Sequence, residues 1–164
     1  MTKIDKYVQL AANEAQNSKQ TFRHGAVIFG RGGKVICSGY NKGNRTKILD
    51  KVFTCTHAEM DVLNKLVNNY LKPKYGKDYK KYCKRFSIVV TRIEKCESVL
   101  KTAFSQPCYY CAKMLEQYGI QRVYYTLDRE NVEMVKIEDL NSTYKSDCQI
   151  KGDSVETNIK LKTF

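Results

Sequence analysis

Two short motifs constrain this chain more than any other feature of its sequence. One is His57-Ala58-Glu59, and the other is Pro107-Cys108-Tyr109-Tyr110-Cys111. Each motif stands at the start of a segment whose apolar residues recur at helical spacing, so each is expected to open a helix. A fold that brings these two helix starts together would gather one imidazole, one carboxylate and two thiols.

That set of side chains suits a catalytic zinc ion, which takes three protein ligands and keeps one open position. Cys108 and Cys111 are three residues apart, so both thiolates face the same way on a first helical turn, where the helix dipole favours them. His57 can supply the third ligand. Glu59 lies two residues further on and is placed to reach a zinc-activated water, whose proton it would relay to a substrate as a general acid and base.

The order H-x-E followed by P-C-x-x-C is the signature of zinc-dependent nucleobase deaminases. Over roughly residues 4 to 126 the chain resembles the cytidine/deoxycytidylate deaminase superfamily, on four segments in the family's order: 23–28, 37–41, 56–59 and 105–111. The resemblance implies a zinc-dependent hydrolase that acts on the exocyclic amine of a nucleobase. It also implies a three-layer α/β fold, with a mixed five-stranded sheet, helices on both faces and a final antiparallel hairpin.

The same resemblance assigns substrate contacts. Asn41 would contact the sugar, the Ala58 backbone N–H would hold the pyrimidine carbonyl, and Ser105 would belong to the substrate-binding segment. Ser105-Gln106-Pro107-Cys108 favours conversion of cytosine to uracil, since a Glu before Pro-Cys is common in tRNA adenosine deaminases. The predicted partner is a cytosine-containing nucleoside or nucleotide, or a single-stranded nucleic acid, with a tRNA adenosine deaminase as the alternative.

A non-catalytic interpretation depends on Cys55. This cysteine lies two residues before His57 and could close the zinc sphere as a fourth ligand. The protein would then be a zinc-containing nucleic-acid-binding module, but Glu59 would have no function. The catalytic site is therefore the preferred prediction.

The strong positive charge does not decide which class of partner the protein binds. The formal net charge is +12, from 29 Lys+Arg against 17 Asp+Glu. An excess of basic residues suits a phosphate-bearing partner. However, Lys, Asn, Tyr and Ile are all plentiful, so the positive charge could equally reflect a biased amino-acid composition. The candidate phosphate or nucleic-acid contacts lie in the loop 41–56 and in a basic insertion, 72–84: Arg45, Lys47, Lys74, Lys77, Lys80 and Lys81.

Hydrophobic periodicity predicts the element order. We expect a helix at 4–16, a strand hairpin at 24–40, a loop at 41–56, a helix at 57–71 ended by Pro73, and an exposed insertion at 72–84. A strand at 86–93, an ambiguous stretch at 95–105, a helix at 108–118 capped by Gly119 and a strand at 121–126 follow. Residues 132–137 form a returning strand or, alternatively, part of a helix at 130–140. Residues 1–140 are predicted as the deaminase domain and 141–164 as a C-terminal extension.

Location and assembly are only loosely constrained. No apolar run reaches the roughly 18 residues of a membrane span, and the N-terminus lacks a signal-like run, so a cytoplasmic or else nuclear protein is expected. Seven cysteines, an odd number, argue against a disulfide framework. The cysteines expected to be reduced and unliganded are Cys37, Cys83, Cys96 and Cys148, and formation of a homo-oligomer is left open.

Overall fold

The computed structural model describes residues 1–44, 46–49, 51–96 and 99–144. Arg45 and most of the predicted C-terminal extension lie outside this part of the chain. Across these described ranges, no helix has both the length and the apolar character needed to cross a membrane.

Helices and strands alternate along the described chain. The α-helices are α1 (Lys3–Ala15), α2 (Ala58–Lys65), α3 (Lys72–Tyr75), α4 (Lys80–Cys83) and α5 (Tyr109–Tyr118). The strands are β1 (Arg23–Phe29), β2 (Val35–Tyr40), β3 (Thr46–Ile48), β4 (Lys51–Phe53), β5 (Ser87–Cys96), β6 (Val99–Ala103), β7 (Arg122–Thr126) and β8 (Val132–Lys136). A π-helical stretch, Leu66–Leu71, joins α2 to α3, and short 3₁₀ turns occupy Arg31–Gly33, Gly76–Asp78 and Ile137–Asp139.

The main sheet is mixed and has the strand order β2-β1-β5-β7-β8. Only the β5–β7 pair in this order is parallel, and β8 returns antiparallel to β7, which confirms the predicted final hairpin. A sixth strand, β6, occupies the stretch that the sequence left ambiguous. It forms because β7 pairs only with Ser87–Val90, so the rest of that edge of β5 is open for Arg92–Cys96 to pair with β6.

The sheet is the middle of three layers. Val27 and Val89 face α1 and pack in one apolar cluster with Tyr7 and Ala11. Their neighbours along the strands point to the opposite face, since side chains alternate along a strand. There Ala26, Ile28, Ile88 and Val90 pack with buried residues of α2 and α5. Helices therefore cover both faces, as predicted.

Two element predictions fail, one because of burial against the core and the other because of a local change in helix geometry. The stretch predicted as a loop at 41–56 contains the small antiparallel β3–β4 hairpin, which buries Ile48 and Phe53 against the core. Pro73 does not end the second helix, because it lies in the first turn of α3, where a missing N–H is tolerated. The preceding π-helical stretch had already changed the hydrogen-bond ladder: Lys72 N–H donates to Val67 carbonyl oxygen, five residues back.

The predicted exposed insertion at 72–84 is ordered and partly packed. The segment forms α3, a 3₁₀ turn and α4, and Cys83 is fully buried. The rings of Tyr75 and Tyr82 stack with centroids 3.6 Å apart and pack against the core. The lysines of this segment remain exposed to solvent.

Candidate metal centre and active site

Two helix N-termini on the same face of the sheet supply the polar groups of the site. His57 is the N-cap of α2 and has extended backbone angles (φ −74°, ψ 155°). Cys108 is the N-cap of α5 with a similar conformation (φ −68°, ψ 167°), and Cys111 follows in the first turn. Gly119 ends α5 in the left-handed region at φ 93°, as the sequence predicted. Because α2 packs against α5, the two caps meet.

The three candidate ligands lie at distances that fit zinc. His57 Nδ1 is 3.5 Å from Cys108 Sγ and 3.4 Å from Cys111 Sγ, and all three ligand atoms lie within 4.8 Å of one another. Tetrahedral zinc with ordinary Zn–S and Zn–N bond lengths places such N and S ligands about 3.6 Å apart. The donor set of one imidazole and two thiols can therefore hold zinc without rearrangement.

The protonation of these groups favours metal binding. A hydrogen bond from Cys111 lowers the pKa of Cys108 to about 5, against the opposing effect of burial and with further help from His57. Burial lowers the pKa of His57, but the hydrogen bond and charge of Cys108 outweigh it and raise the pKa. The low pKa of Cys108 favours its thiolate, which is the form of the side chain that binds a metal.

Glu59 is the buried carboxyl group of the site. It is the second residue of α2 and is only 4 % exposed. Burial raises its pKa to about 7, although the nearby His57 charge acts in the opposite direction. A carboxyl group with this pKa can both accept and donate a proton near neutral pH, which is the requirement for a general acid and base.

A cavity of about 490 Å³ opens onto these groups. Its volume falls in the range of roughly 300–1,000 Å³ typical of small-molecule sites. His57, Cys108 and Glu59 all line it, and the rest of the wall combines polar side chains with a few apolar ones. Those other lining residues are Gln20, Thr21, Phe22, His24, Asn41, Lys42, Cys55, Thr56, Ala58, Gln106 and Tyr144.

Two of the three predicted substrate contacts lie in this wall. Asn41 lines the cavity while its side chain fixes the start of β1: its Oδ1 accepts from the His24 N–H (2.8 Å) and its Nδ2 donates to the Phe22 carbonyl oxygen (2.7 Å). Ala58 is the first residue of α2. Its N–H therefore belongs to the turn whose amides have no partner within the helix.

Ser105 is placed differently from the other two. Its buried hydroxyl contacts the Val90 carbonyl oxygen at 2.8 Å and Thr126 Oγ1 at 2.7 Å, and it accepts a bond from the Thr126 N–H. These bonds join the segment before Cys108 to β5 and β7. Among the described residues it is the neighbouring Gln106, and not Ser105, that lines the cavity.

The predicted basic contacts that belong to the described part of the chain do not line the cavity. Lys47 is exposed in β3, and Lys74, Lys77, Lys80 and Lys81 are exposed around α3 and α4. A continuous helical path runs from Ala58 to Tyr75, so at about 1.5 Å per residue Lys74 lies roughly 20–25 Å along the chain's helical axis from His57. Lys42 is the cation that lines the cavity in the described part of the chain.

Two further residues shape the site and were not singled out as functional in the sequence. Asp61 is buried in the first turn of α2 and binds Lys42 (3.1 Å), Lys65 (3.2 Å) and the Tyr40 N–H (3.3 Å). This arrangement needs a glycine at position 39, because a Cβ there would collide with the Asp61 carboxylate. The i,i+4 spacing of Asp61 and Lys65 was the available sequence signal.

His24 is the second such residue. It lines the cavity from β1, and burial together with the nearby His57 charge lowers its pKa to about 4. Its imidazole is therefore neutral at ordinary pH. An apolar sequence context gave no signal for this position, because β1 reaches the site only through pairing with its neighbours.

Cys55 does not act as a fourth ligand. It lines the cavity but is disulfide-bonded, so the closed structural zinc site lacks its proposed donor. This bond differs from the sequence-based expectation, in which the odd number of cysteines argued against disulfides. Cys37 and Cys83 are free thiols, as predicted.

The family model for the cytidine and deoxycytidylate deaminase zinc-binding region matches residues 1–127. The chain belongs to this deaminase family. It is accordingly a zinc-dependent hydrolytic deaminase of the cytidine/deoxycytidylate type, and zinc is its cofactor.

Solved structures include similar chains. Eighteen chains match, among them two structures of dCMP deaminase from the cyanophage S-TIM5. The apo form is 23 % identical with a TM-score of 0.47, over 75 % of this deaminase and 81 % of that chain. The complex with dCMP and dUMP gives the same identity and TM-score over 74 % and 79 %. No curated protein sequence matches this deaminase significantly.

Proposed function

We propose that this deaminase converts cytosine to uracil in a free nucleotide of the deoxycytidylate type, with release of ammonia. The observation that carries the proposal is the cavity of about 490 Å³ at the metal centre, whose wall contains Glu59, one lysine (Lys42) and neutral polar groups. A polynucleotide substrate would need a cationic path leading to the metal. The described lysines of α3 and α4 do not supply one.

The catalytic roles follow from the positions of the side chains. His57, Cys108 and Cys111 hold the zinc, which when bound supplies a Lewis acid that makes water nucleophilic near neutral pH. Glu59 takes a proton from the attacking water and delivers it to the pyrimidine ring nitrogen. It then takes the remaining proton of the added hydroxyl as the new carbonyl forms and transfers this proton to the amine, which leaves as ammonia. The carboxyl group therefore ends the cycle as it began.

The remaining contacts are proposed from the residues that line the cavity. The Ala58 N–H donates to the base carbonyl, since Ala58 lines the cavity and its amide belongs to the first turn of α2, where amides have no partner within the helix. Asn41 lies beside the sugar. The phosphate faces Gln20, Thr21 and Lys42, so this part of the wall offers two neutral donors and an ammonium group that also pairs with Asp61.

A substrate panel tests the proposal. Purified zinc-loaded protein is incubated with dCMP, CMP, deoxycytidine, cytidine, a cytosine-containing single-stranded oligonucleotide and an adenosine-containing tRNA anticodon stem-loop, and ammonia release is measured. We expect dCMP or CMP to give the highest kcat/KM and the oligonucleotide to give none above the Glu59→Gln background. Preferential turnover of the oligonucleotide, or of adenosine in the stem-loop, would refute the free-nucleotide substrate.

A further inference from the structure

A second concave surface lies at the end of the sheet remote from the metal centre. It consists of two adjoining cavities of about 370 and 430 Å³. The two cavities share Gly30, Arg31, Arg85 and Phe86 in their walls, so they form one continuous depression. We call this surface the end face.

The end face is strongly cationic. Seven of its lining residues are Lys or Arg, and all seven are exposed: Lys3, Arg31, Lys34, Lys74, Lys84, Arg85 and Arg122. Its walls contain no Asp or Glu among the residues that the structure describes. Elsewhere in the same ranges, lysines are neutralised by carboxylates, as Lys42 and Lys65 are by Asp61 and Lys81 is by Asp78. The positive charge of the end face is not balanced by carboxylates in its walls, so this surface should attract an anion from outside the chain.

Packing holds several of these cations in place. The turn that carries Arg31 is fixed to α1 by a 2.6 Å bond from the Tyr7 hydroxyl to the Gly33 carbonyl oxygen. Tyr7 in turn stacks on Phe29 with centroids 4.2 Å apart. The Arg85 guanidinium lies over the ring of Tyr82, 4.6 Å from its centroid. Side chains that are positioned in this way lose less entropy when they bind a ligand.

The end face is separate from the active site. Strand β1 runs from His24, which lines the catalytic cavity, to the neighbourhood of Gly30, which lines the end face. Six residue steps at about 3.3 Å each place the two surfaces roughly 20 Å apart. A ligand in the end face therefore does not occupy the catalytic cavity.

We propose that the end face binds the phosphodiester backbone of single-stranded nucleic acid. Three of its cations are arginines, whose planar guanidinium groups suit phosphate oxygens. The depression extends over two cavities, which matches a chain of linked phosphates better than one compact anion. The half-buried rings of Tyr70, Tyr75 and Tyr124 along its walls offer faces or edges to bases.

Salt-dependent binding of an oligothymidylate distinguishes this surface from general positive charge. Oligothymidylate contains no cytosine and is not a deaminase substrate. The test variant is Arg31→Gln/Arg85→Gln/Arg122→Gln, and the control is Lys95→Gln/Lys101→Gln/Lys136→Gln, which removes the same charge from β5, β6 and β8. Each lost phosphate contact lowers the slope of log K against log salt by about 0.7, so the test variant should lose about 2 and the control much less.

Two results would overturn the proposal. One is an equal loss of slope in the test and control variants, which would assign binding to net charge alone. The other is stoichiometric binding of inorganic tripolyphosphate to the wild type that oligothymidylate does not displace. Arg31→Gln alone, in an exposed turn, should still lower the slope by about 0.7 if the triple variant is unstable. Unchanged circular dichroism and thermal unfolding of the variants serve as the check on folding and keep this test independent of the substrate assignment.

Discussion

Glu59 has to satisfy two conditions that burial sets against each other. A carboxylate accepts a proton only when it is ionised, yet a side chain that is 4 % exposed is poorly solvated in its ionised form. A pKa raised to about 7 by burial reconciles the conditions, since both forms are then populated near neutral pH. Proton transfer at this residue is thus matched to neutral conditions.

Replacement of Glu59 by glutamine should separate proton transfer from metal binding. The Glu59→Gln side chain has the same shape but cannot carry the proton, so kcat should fall by about 10²–10⁴-fold or more. Zinc content should stay at the wild-type level, because the three proposed ligands are unchanged. The measurements are nucleotide turnover and metal analysis of the same preparation. A variant that loses its zinc and regains full activity on reconstitution would contradict the assigned role.

The same substitution should alter the pH dependence of stability in the metal-free protein. The folded-state pKa of Glu59 is raised from 4.5 to about 7, so the protonated form stabilises the fold and this contribution is lost as pH rises from about 4.5 through 7. The loss is roughly 3 kcal/mol at about 1.4 kcal/mol per pH unit. Glu59→Gln has no such titration. The measurement is denaturant unfolding of both chelator-treated proteins at pH 4.5 and at pH 8. Relative to wild type, the free energy of unfolding of the variant should be higher at pH 8 than at pH 4.5. The same difference between the two proteins at both pH values would refute a raised pKa for the buried Glu59 carboxyl group.

At the scale of elements, Asp61 holds the catalytic helix against the sheet. It connects the first turn of α2 to the end of β2 through Lys42, Lys65 and the Tyr40 N–H. Because His57 and Glu59 belong to the same turn, their positions depend on this attachment. Asp61 is therefore a positioning residue and makes no proposed contact with the substrate.

Neutralising Asp61 should cost about 2 kcal/mol in the free energy of unfolding, since hydrogen bonds to charged groups contribute roughly 1.5–3 kcal/mol. Asp61→Asn keeps the shape and removes the charge that binds both lysines. Asp78→Asn is the matched control, because its pair with Lys81 is about 70 % exposed on both sides and should change stability by less than about 1 kcal/mol. Urea unfolding compares the two variants, and equal losses would argue against the Asp61 attachment.

The elements predicted correctly are those whose signals are local. The C-x-x-C helix start and Gly119 mark both ends of α5, a short apolar run rich in Val and Ile marks β1, and a run of β-branched residues marks β5. The β3–β4 hairpin and β6 escaped prediction because they depend on an open sheet edge and on burial of Ile48 and Phe53. The helix passes Pro73 because the π-helical stretch changes the hydrogen-bond ladder, and composition does not reveal that change.

The residues of the candidate site also divide into those with a local sequence signal and those whose roles depend on the assembled fold. His57, Glu59, Cys108 and Cys111 are recognisable from residue type and spacing, because the chemistry of zinc demands them. Ser105 lies in the predicted segment but bonds to β5 and β7, which only the assembled sheet shows. Asp61 and His24 gain their roles from partners on other elements.

For the molecule as a whole, the net charge of +12 is unevenly distributed. Seven cations line the end face, whereas the catalytic cavity has Lys42 as its lining cation among the described residues. The basic composition therefore belongs largely to surfaces away from the chemistry. The end face attracts anions to the molecule, whereas the catalytic cavity selects the substrate.

The π-helical stretch Leu66–Leu71 has a consequence for how this protein can vary. A π turn is equivalent to an α-helix with one inserted residue, so a single deletion there would restore regular α-helical geometry. Everything after the deletion would rotate by about 100° around the helix axis and shift by about 1.5 Å. Lys74 and Tyr75 would leave the wall of the end face, while His57 and Glu59, upstream of the change, would keep their orientation. Relatives of different length in this stretch would share the same catalytic centre and present different surfaces at the far end of the helix.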